Sequence, residues 1–235
     1  PQIELTGGTP IAAEALLRWR HPPAGPIPPS TVVGIAERMG LIASLTFWVL
    51  NTVLRNAAQM RKEGITPAFS VNLSTRALVD AELPDIVDQA LRTWGVPADQ
   101  ITLEITESSM IGDAERSMAM LTRLKGTGVG LSIDDFGTGY SSLAYLKRFP
   151  LDELKIDRSF VDDIVDNGDD HAIARTIIAM AQTLRLSVVA EGVDHPGQLQ
   201  VILPGRFLGP RDVGVPPADV AVAAGHVLPD EQAQL

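Results

Sequence analysis

Cysteine is absent from this chain of 235 residues, and its absence excludes disulfide bonds, thiolate nucleophiles and zinc–sulfur sites together. No apolar run approaches the roughly 20 residues of a membrane-spanning helix, so we expect no membrane contact within this chain. The N-terminus also lacks the basic segment and apolar run of a secretory signal. These absences together favour a cytoplasmic protein.

Basic residues are scarce beside acidic ones. The chain has 19 basic and 29 acidic residues, which gives a net charge of −10. Proteins that bind duplex DNA or RNA without regard to sequence need the opposite balance, because contacts to phosphate dominate their affinity. We therefore expect no DNA or RNA duplex as a partner. A small phosphorylated ligand is compatible with this charge, because bound metal ions reverse it locally.

Short β-rich runs alternate with helical patterns through most of the chain. The predicted strands are residues 11–19, 67–73, 101–106, 130–134, 154–157 and 186–190. The predicted helices are residues 30–39, 41–62, 82–94, 113–125, 171–184 and 196–203. Such alternation predicts a parallel sheet with crossover helices, and the length suits one α/β barrel. A further helix is predicted at residues 218–226.

A polar group stands at the C-terminal end of each predicted strand. These groups are Glu14 with Arg18, Asn72, Glu104, Asp134 with Asp135, Lys155 with Asp157, and Glu191. The carboxyl ends of barrel strands converge on one face, where active sites form. Since alternate residues of a strand share a face, Lys155 and Asp157 should point the same way. Asp134 and Asp135 cannot, so we expect the loop just past the strand to present Asp135.

Four or five carboxylates in one pocket repel each other unless protons or cations intervene. Carboxylate and amide oxygens are hard ligands, which suit Mg²⁺ or Mn²⁺ better than zinc. More than three carboxylates suggest two ions, the arrangement used for displacement at phosphorus. Lys155 among anionic carboxylates should stay protonated and act electrostatically. A role as a base would need a lowered pKa.

Six motifs follow one another in the order typical of the EAL domain family. They are Glu14-Ala15-Leu16-Leu17-Arg18-Trp19, Val71-Asn72-Leu73-Ser74, Leu103-Glu104-Ile105-Thr106-Glu107-Ser108, Asp134-Asp135-Phe136-Gly137-Thr138-Gly139-Tyr140-Ser141-Ser142-Leu143, Leu154-Lys155-Ile156-Asp157 and Ala190-Glu191-Gly192-Val193. The chain therefore resembles this family from about Ile3 to about Leu199. Any one of these motifs alone would be weak.

The resemblance implies a role for each matching residue. The ligands of one metal would be Glu14, Asn72, Glu104 and Asp134. The ligands of the second metal would be Asp134, Asp135 and Glu191, and Glu191 also counts among the catalytic residues. Lys155 would orient or deprotonate the attacking water, and Glu107 would hold the loop after Asp135. Arg18 would contact a substrate phosphate, and Asp157 would lie close to the water molecules at the metals.

The resemblance also implies a reaction and partners. The fold would be a (βα)8 TIM-like barrel, and the activity a phosphodiesterase that uses two divalent cations, Mg²⁺ or Mn²⁺, to hydrolyse cyclic di-GMP to linear pGpG. Family members often dimerise through the region of residues 135–146, and many carry a GGDEF domain upstream. We therefore expect a homodimer, and a single domain excised from a longer multidomain protein with an upstream GGDEF or sensor domain.

Two ends of the chain depart from the family pattern. Residues 1–12 form a shortened hairpin, so we expect the first strand to be truncated or missing. Residues 204–235 diverge, and Gly205-Arg206-Phe207-Leu208-Gly209 stand where the family has a Gln-Gly motif that helps to hold the nucleotide. A catalytically weak or silent receptor for cyclic di-GMP is therefore the alternative to an active phosphodiesterase. An enolase-type barrel lyase with a similar acidic ring is a remote third.

Overall fold

The computed structural model describes residues 1–4, 10–23, 25–110, 114–139, 146–202 and 220–224. The strands in these ranges are β1 Gln2–Glu4, β2 Pro10–Ala15, β3 Trp19–His21, β4 Gly25–Ile27, β5 Ala68–Leu73, β6 Ile101–Thr106, β7 Gly130–Phe136, β8 Glu153–Ile156, β9 Ser187–Val193 and β10 Val220–Ala224. The α-helices in the same ranges are α1 Pro29–Arg38, α2 Ile42–Lys62, α3 Leu83–Trp94, α4 Ala114–Gly126, α5 Gly168–Leu184 and α6 Pro196–Ile202.

Eight of the described strands form a closed barrel in the order β1-β10-β9-β8-β7-β6-β5-β2. From β2 through β5 to β10 each strand is parallel to its neighbour. Only β1, among these eight, runs antiparallel to the two strands beside it. The strands β3 and β4 pair with each other outside the barrel. The prediction of a TIM-like α/β barrel is confirmed.

Helices cover the outer face of the barrel. Their buried residues recur at helical spacing, so each helix has one apolar side that packs against the strands. Val87, Ala90 and Leu91 of α3 are buried, and so are Ala174 and Ala181 of α5. They pack in one core with the outward-facing residues of the strands. Within the described residues, no helix has both the length and the apolar character that crossing a membrane requires.

The first strand is short rather than missing. β1 has three residues, and it pairs with β2 on one side and with β10 on the other. A strand at this position closes the barrel, which leaves no unpaired edge between β2 and β10. The structure therefore has a first strand in the barrel.

Two predictions of secondary structure were wrong. The predicted helix at 218–226 is instead the strand β10, because parallel pairing to β9 and antiparallel pairing to β1 satisfy its backbone on both sides. The predicted strand at 11–19 ends at Ala15, where its register with β5 stops. The chain then forms the β3–β4 hairpin, whose turn is helped by Gly25 at a φ of 74°.

Candidate metal centre

Six strands place a polar side chain in their C-terminal halves. These side chains are Glu14 on β2, Asn72 on β5, Glu104 on β6, Asp134 on β7, Lys155 on β8 and Glu191 on β9. On β6 the apolar residues Ile101, Leu103 and Ile105 point outward and are buried, which leaves Glu104 facing the barrel interior. Because the six strands are parallel, their carboxyl ends meet at one end of the barrel.

Lys155 is the centre of this group, and its side chain is only 1% exposed. Its Nζ lies 2.6 Å from Glu191 Oε1, 3.0 Å from Glu104 Oε2 and 3.1 Å from Asp134 Oδ1. Glu14 Oε2 is 4.0 Å away. Burial alone would lower the pKa of Lys155, but the four surrounding carboxylates raise it above its ordinary value. Lys155 is therefore a buried, fully protonated ammonium.

Glu14 and Asn72 are joined on the neighbouring strands β2 and β5. Asn72 Nδ2 donates a hydrogen bond of 2.7 Å to Glu14 Oε1. Asn72 is also paired in register with Glu104 on β6. The amide therefore holds the carboxylate of Glu14 beside β5, and its oxygen remains available as a ligand.

A β-bulge brings Asp134 and Asp135 to the same site. The register between β7 and β8 jumps from Ile133 to Phe136, and Asp135 has the left-handed φ of 55°. Oxygens of Asp134, Asp135 and Glu191 lie within 4.8 Å of one another. Asp135 is thus presented from inside the strand, not from the loop beyond it, and the expectation of a loop position was wrong because a bulge reverses strand parity.

The charges of this cluster do not balance. Five carboxylates face one ammonium, and only protons or added cations can offset the remaining negative charge. Burial raises the pKa of Glu104 to about 8, with Lys155 acting against the rise and Glu14 and Asp134 adding to it. Burial likewise raises the pKa of Glu191 and of Asp135. Without cations the Glu104 carboxyl therefore holds a proton that an ordinary carboxyl would have lost at neutral pH.

The free oxygens of the cluster suit hard cations. Among the described residues, Glu104 Oε1 is buried without a hydrogen-bond partner, and Asp134 Oδ1 meets Lys155 as an ion pair but has no hydrogen bond of its own. Buried polar atoms normally have hydrogen-bond partners, so a buried carboxylate oxygen without a partner is suited to bind a cation. Carboxylate and amide oxygens are the ligands of Mg²⁺ and Mn²⁺. This buried acidic cluster could therefore bind metal.

Glu107 lies beneath the chain that follows Asp135. Its side chain is 2% exposed, and its Oε2 accepts hydrogen bonds from the backbone N–H of Gly137 at 2.9 Å and of Gly139 at 3.3 Å. A Cβ on Gly139 would lie 3.0 Å from Glu107 Oε1, so a larger residue there would require the carboxylate to shift. Glu107 thus fixes the backbone just past the bulge.

Asp157 and Arg18 stand at the border of the cluster. Asp157 follows β8 and begins a 3₁₀ turn, where it accepts hydrogen bonds from the N–H and the hydroxyl of Ser159. It is close enough to Asp135 to help raise the pKa of that carboxyl, after burial and Asp134. Arg18 is exposed and donates to the carbonyl of Leu17, and no ion pair among the described residues joins it to the cluster.

Three polar residues near the site were missed from the sequence: Ser132 and Gln198 are buried, and Glu153 is half-buried. Ser132 and Glu153 lie one level deeper on β7 and β8, paired in register. Strand parity with Asp134 and Lys155 would have found both. Burial raises the pKa of Glu153, with Ser132 acting against the rise. Gln198 on α6 is 2% exposed, and no local pattern in the sequence distinguishes it from a surface glutamine.

A parallel barrel with a buried acidic cluster at the carboxyl ends of its strands defines a class of metal-binding α/β barrels. A family model described as the EAL domain matches residues 1–204 of this chain. The chain belongs to the EAL domain family.

Two of the similar proteins come from Pseudomonas aeruginosa. The chain is 46% identical over 200 residues to the cyclic di-GMP phosphodiesterase NbdA, covering 85% of this chain and 26% of that protein. It is 42% identical over 203 residues to the bifunctional diguanylate cyclase/cyclic di-GMP phosphodiesterase MucR, covering 86% and 30%. The chain thus spans between a quarter and a third of these relatives.

A solved structure described as PaMucR phosphodiesterase in a c-di-GMP complex is also similar. It has a TM-score of 0.81 and 42% identity, over 86% of this chain and 82% of that chain. The likeness therefore covers most of both chains.

Proposed function

We propose that this domain hydrolyses cyclic di-GMP to linear pGpG with the help of two divalent cations, Mg²⁺ or Mn²⁺. The observation that carries the proposal is the convergence of Glu14, Glu104, Asp134 and Glu191 around the buried Lys155. The family membership and the relatives named as cyclic di-GMP phosphodiesterases support the choice of substrate.

The ligand sets follow the two groupings in the cluster. One cation would be held by Glu14, Asn72, Glu104 and Asp134, and the other by Asp134, Asp135 and Glu191. The linked pair of Glu14 with Asn72 supports the first set, and the mutual proximity of the three carboxylates supports the second. Bound cations would supply a more acidic attacking water and offset the negative charge at phosphorus.

The protein's own groups orient the reaction. Lys155, kept protonated by its neighbours, stabilises negative charge that develops on the attacking oxygen or the phosphoryl group. Glu107 keeps the backbone after Asp135 in place. Arg18 is exposed in the segment that follows β2, and its guanidinium is suited to hold a substrate phosphate. Hydrolysis then adds water to phosphorus, breaks one P–O3′ bond and leaves the proton on the released 3′ oxygen.

Incubation with cyclic di-GMP tests this function. The purified domain with Mg²⁺ or Mn²⁺ should produce pGpG, detected by chromatography, and EDTA should abolish the product. Asp135→Asn is the matched variant, because it keeps the side-chain volume but removes one charged ligand of the second set. A protein that binds cyclic di-GMP without releasing pGpG under either metal would contradict the proposal.

A receptor without turnover is the second candidate. The motif Gly205-Arg206-Phe207-Leu208-Gly209 favours it, because the family's Gln is missing there. These residues lie outside the described part of the chain. Calorimetry that detects cyclic di-GMP binding, combined with no pGpG in the assay above, would select this candidate.

The partners and location of the whole protein are also proposed. We expect an upstream GGDEF or sensor domain, since the curated relatives are three to four times longer than the match. We expect a homodimer through residues 135–146, of which 140–145 lie outside the described residues, and a cytoplasmic location. Light scattering of the domain at two concentrations tests the dimer.

A further inference from the structure

Gln198 has its hydrogen-bonding capacity filled by backbone groups. Its Oε1 accepts from the N–H of Asp194 at 2.8 Å and of His195 at 3.1 Å. Its Nε2 donates to the carbonyls of Val161 at 3.0 Å and of Asp162 at 3.3 Å. A primary amide has two donors and two acceptor positions, so this buried side chain spends all of them on four backbone groups.

The four groups belong to two different strand ends. Asp194 and His195 come directly after β9, which carries Glu191. Val161 and Asp162 come just after the 3₁₀ turn that follows β8, which carries Lys155. Gln198 therefore ties the chain beyond one strand of the metal centre to the chain beyond the next.

The backbone beside Glu191 is confined from the outside as well. Gly192 has a left-handed φ of 73°, and a Cβ on it would lie 2.5 Å from Arg158 Cγ. Arg158 itself pairs with Asp162 and reaches Asp194 at 3.5 Å. These ion pairs are exposed and contribute little, so the buried amide of Gln198 is the stronger side-chain link between the two loops, beyond the backbone pairing of β8 with β9.

We propose that Gln198 is a positioning residue of the metal centre: it fixes the backbone that follows Glu191, and so holds that carboxylate against Lys155 and the Asp134–Asp135 bulge. The proposal rests on the proposed function. Groups behind the ligands of a metal commonly set ligand orientation, and their removal lowers metal affinity about 10–100-fold. Gln198 acts in this way through the main chain.

Gln198→Met tests the proposal, because methionine is close in size but makes none of the four hydrogen bonds. Val87→Ala is the control, since Val87 is buried on α3, which packs against α2 and α4, away from β8 and β9. Mn²⁺ binding is followed by electron paramagnetic resonance of the free ion without substrate, and kcat and KM are measured with cyclic di-GMP.

For Gln198→Met we expect the Mn²⁺ dissociation constant to rise about tenfold. At saturating Mn²⁺ we expect kcat to fall while KM stays unchanged, because Gln198 is buried and its amide is fully occupied by backbone groups. Val87→Ala should lower the melting temperature and leave all three constants unchanged. If both variants behave alike, Gln198 only stabilises the fold and the proposal is overturned.

Failure of the proposed function is recognised separately. Wild-type protein that neither binds Mn²⁺ nor makes pGpG defeats that function whatever the variants do. The crystal structure of Gln198→Met still decides the positioning role in that case. The distance of 2.6 Å between Glu191 Oε1 and Lys155 Nζ should lengthen beyond hydrogen-bonding range, and an unchanged distance would overturn the role.

Discussion

The barrel strands β6 to β9 and the segment from β2 to β3 differ in how deeply their apolar side chains are buried. We call the first the covered wall (residues 101–106, 130–136, 153–156 and 187–193) and the second the exposed edge (residues 10–21). On the covered wall Leu103 and Leu154 have no exposed surface, whereas Ile11 and Trp19 on the exposed edge are 44% and 48% exposed. Both parts contribute to one site, but only the covered wall has helices packed closely over it.

The two most deeply buried charges of the site also lie on the covered wall, although Glu191 on β9 is about as exposed as Glu14, at 23% against 25%. Glu104 and Lys155 on the covered wall are each 1% exposed, while the side chain of Glu14 is 25% exposed and Arg18 lies at the surface. Buried charges interact strongly because water does not screen them, and exposed ones interact weakly. The covered wall should therefore set the chemistry of the site, and the exposed edge should adjust binding at its entrance.

The largest expected difference in activity is between substitutions of two basic side chains, Lys155 on the covered wall and Arg18 on the exposed edge. Lys155→Met should lower kcat about 10²- to 10³-fold, the loss typical of removing one preorganised charge-stabilising group. Arg18→Ala should raise KM for cyclic di-GMP by less than about tenfold with little change in kcat, as for a charge at the rim. Steady-state production of pGpG measures both.

Lys62→Met is the control for the lysine substitution, because Lys62 is exposed at the end of α2 and the chemical change is the same. It should leave kcat unchanged. Equal losses from Lys155→Met and Arg18→Ala would end the distinction between the covered wall and the exposed edge.

Core packing gives the next largest effect. Leu103→Ala removes a fully buried side chain and should lower the free energy of unfolding by about 2–5 kcal/mol. Ile11→Ala, at a position that is 44% exposed, should cost less than about 1 kcal/mol. Urea unfolding followed by circular dichroism compares the two. A similar cost for both would mean that the exposed edge is covered in solution.

The covered wall is also the part of the fold that the sequence predicts best. The strand at 101–106 has the predicted bounds, and the predicted strand at 154–157 is shifted by one residue from Glu153–Ile156. Strict alternation of apolar residues gives a local signal there. Residues 11–19 and 218–226 were assigned wrongly because their strands end or form according to partners far away in sequence.

The site shows the same limit. Strand parity anticipated that Glu104 and Lys155 face the interior, because their neighbours Leu103 and Leu154 are apolar. Parity could not anticipate the bulge that presents Asp135, since one residue of irregular backbone reverses the pattern. Gln198 was missed because its four partners lie on two loops that only the tertiary fold brings together.

Neutralising one carboxylate on each side sharpens the comparison further. Glu104→Gln should weaken Mn²⁺ binding about 100-fold and Glu14→Gln about tenfold, within the range that changes around a metal centre commonly cause. The side chain of Glu104 is buried, so water cannot take the place of the lost ligand. The side chain of Glu14 is partly exposed, so water can bind the metal ion there instead. Calorimetric titration with Mn²⁺ checks the order. A larger loss from Glu14→Gln would place the main ligand on the exposed edge.

The smallest effect is a pH dependence that only the covered wall should show. The pKa of Glu104 is raised from 4.5 to about 8, first by burial, so the folded protein holds a proton there that the unfolded chain has lost above 4.5. This proton contributes stability that is fully present below pH 4.5 and is lost as the pH rises through 8.

In EDTA the melting temperature should therefore fall between pH 6 and 8.5, and the fall should be smaller in Glu104→Gln. Glu14→Gln should reduce the slope less than Glu104→Gln, because Glu14 adds less to the raised pKa of Glu104 than burial does. A wild-type melting temperature that rises over this interval, or a Glu104→Gln slope equal to the wild-type slope, would show that Glu104 is already ionised without metal.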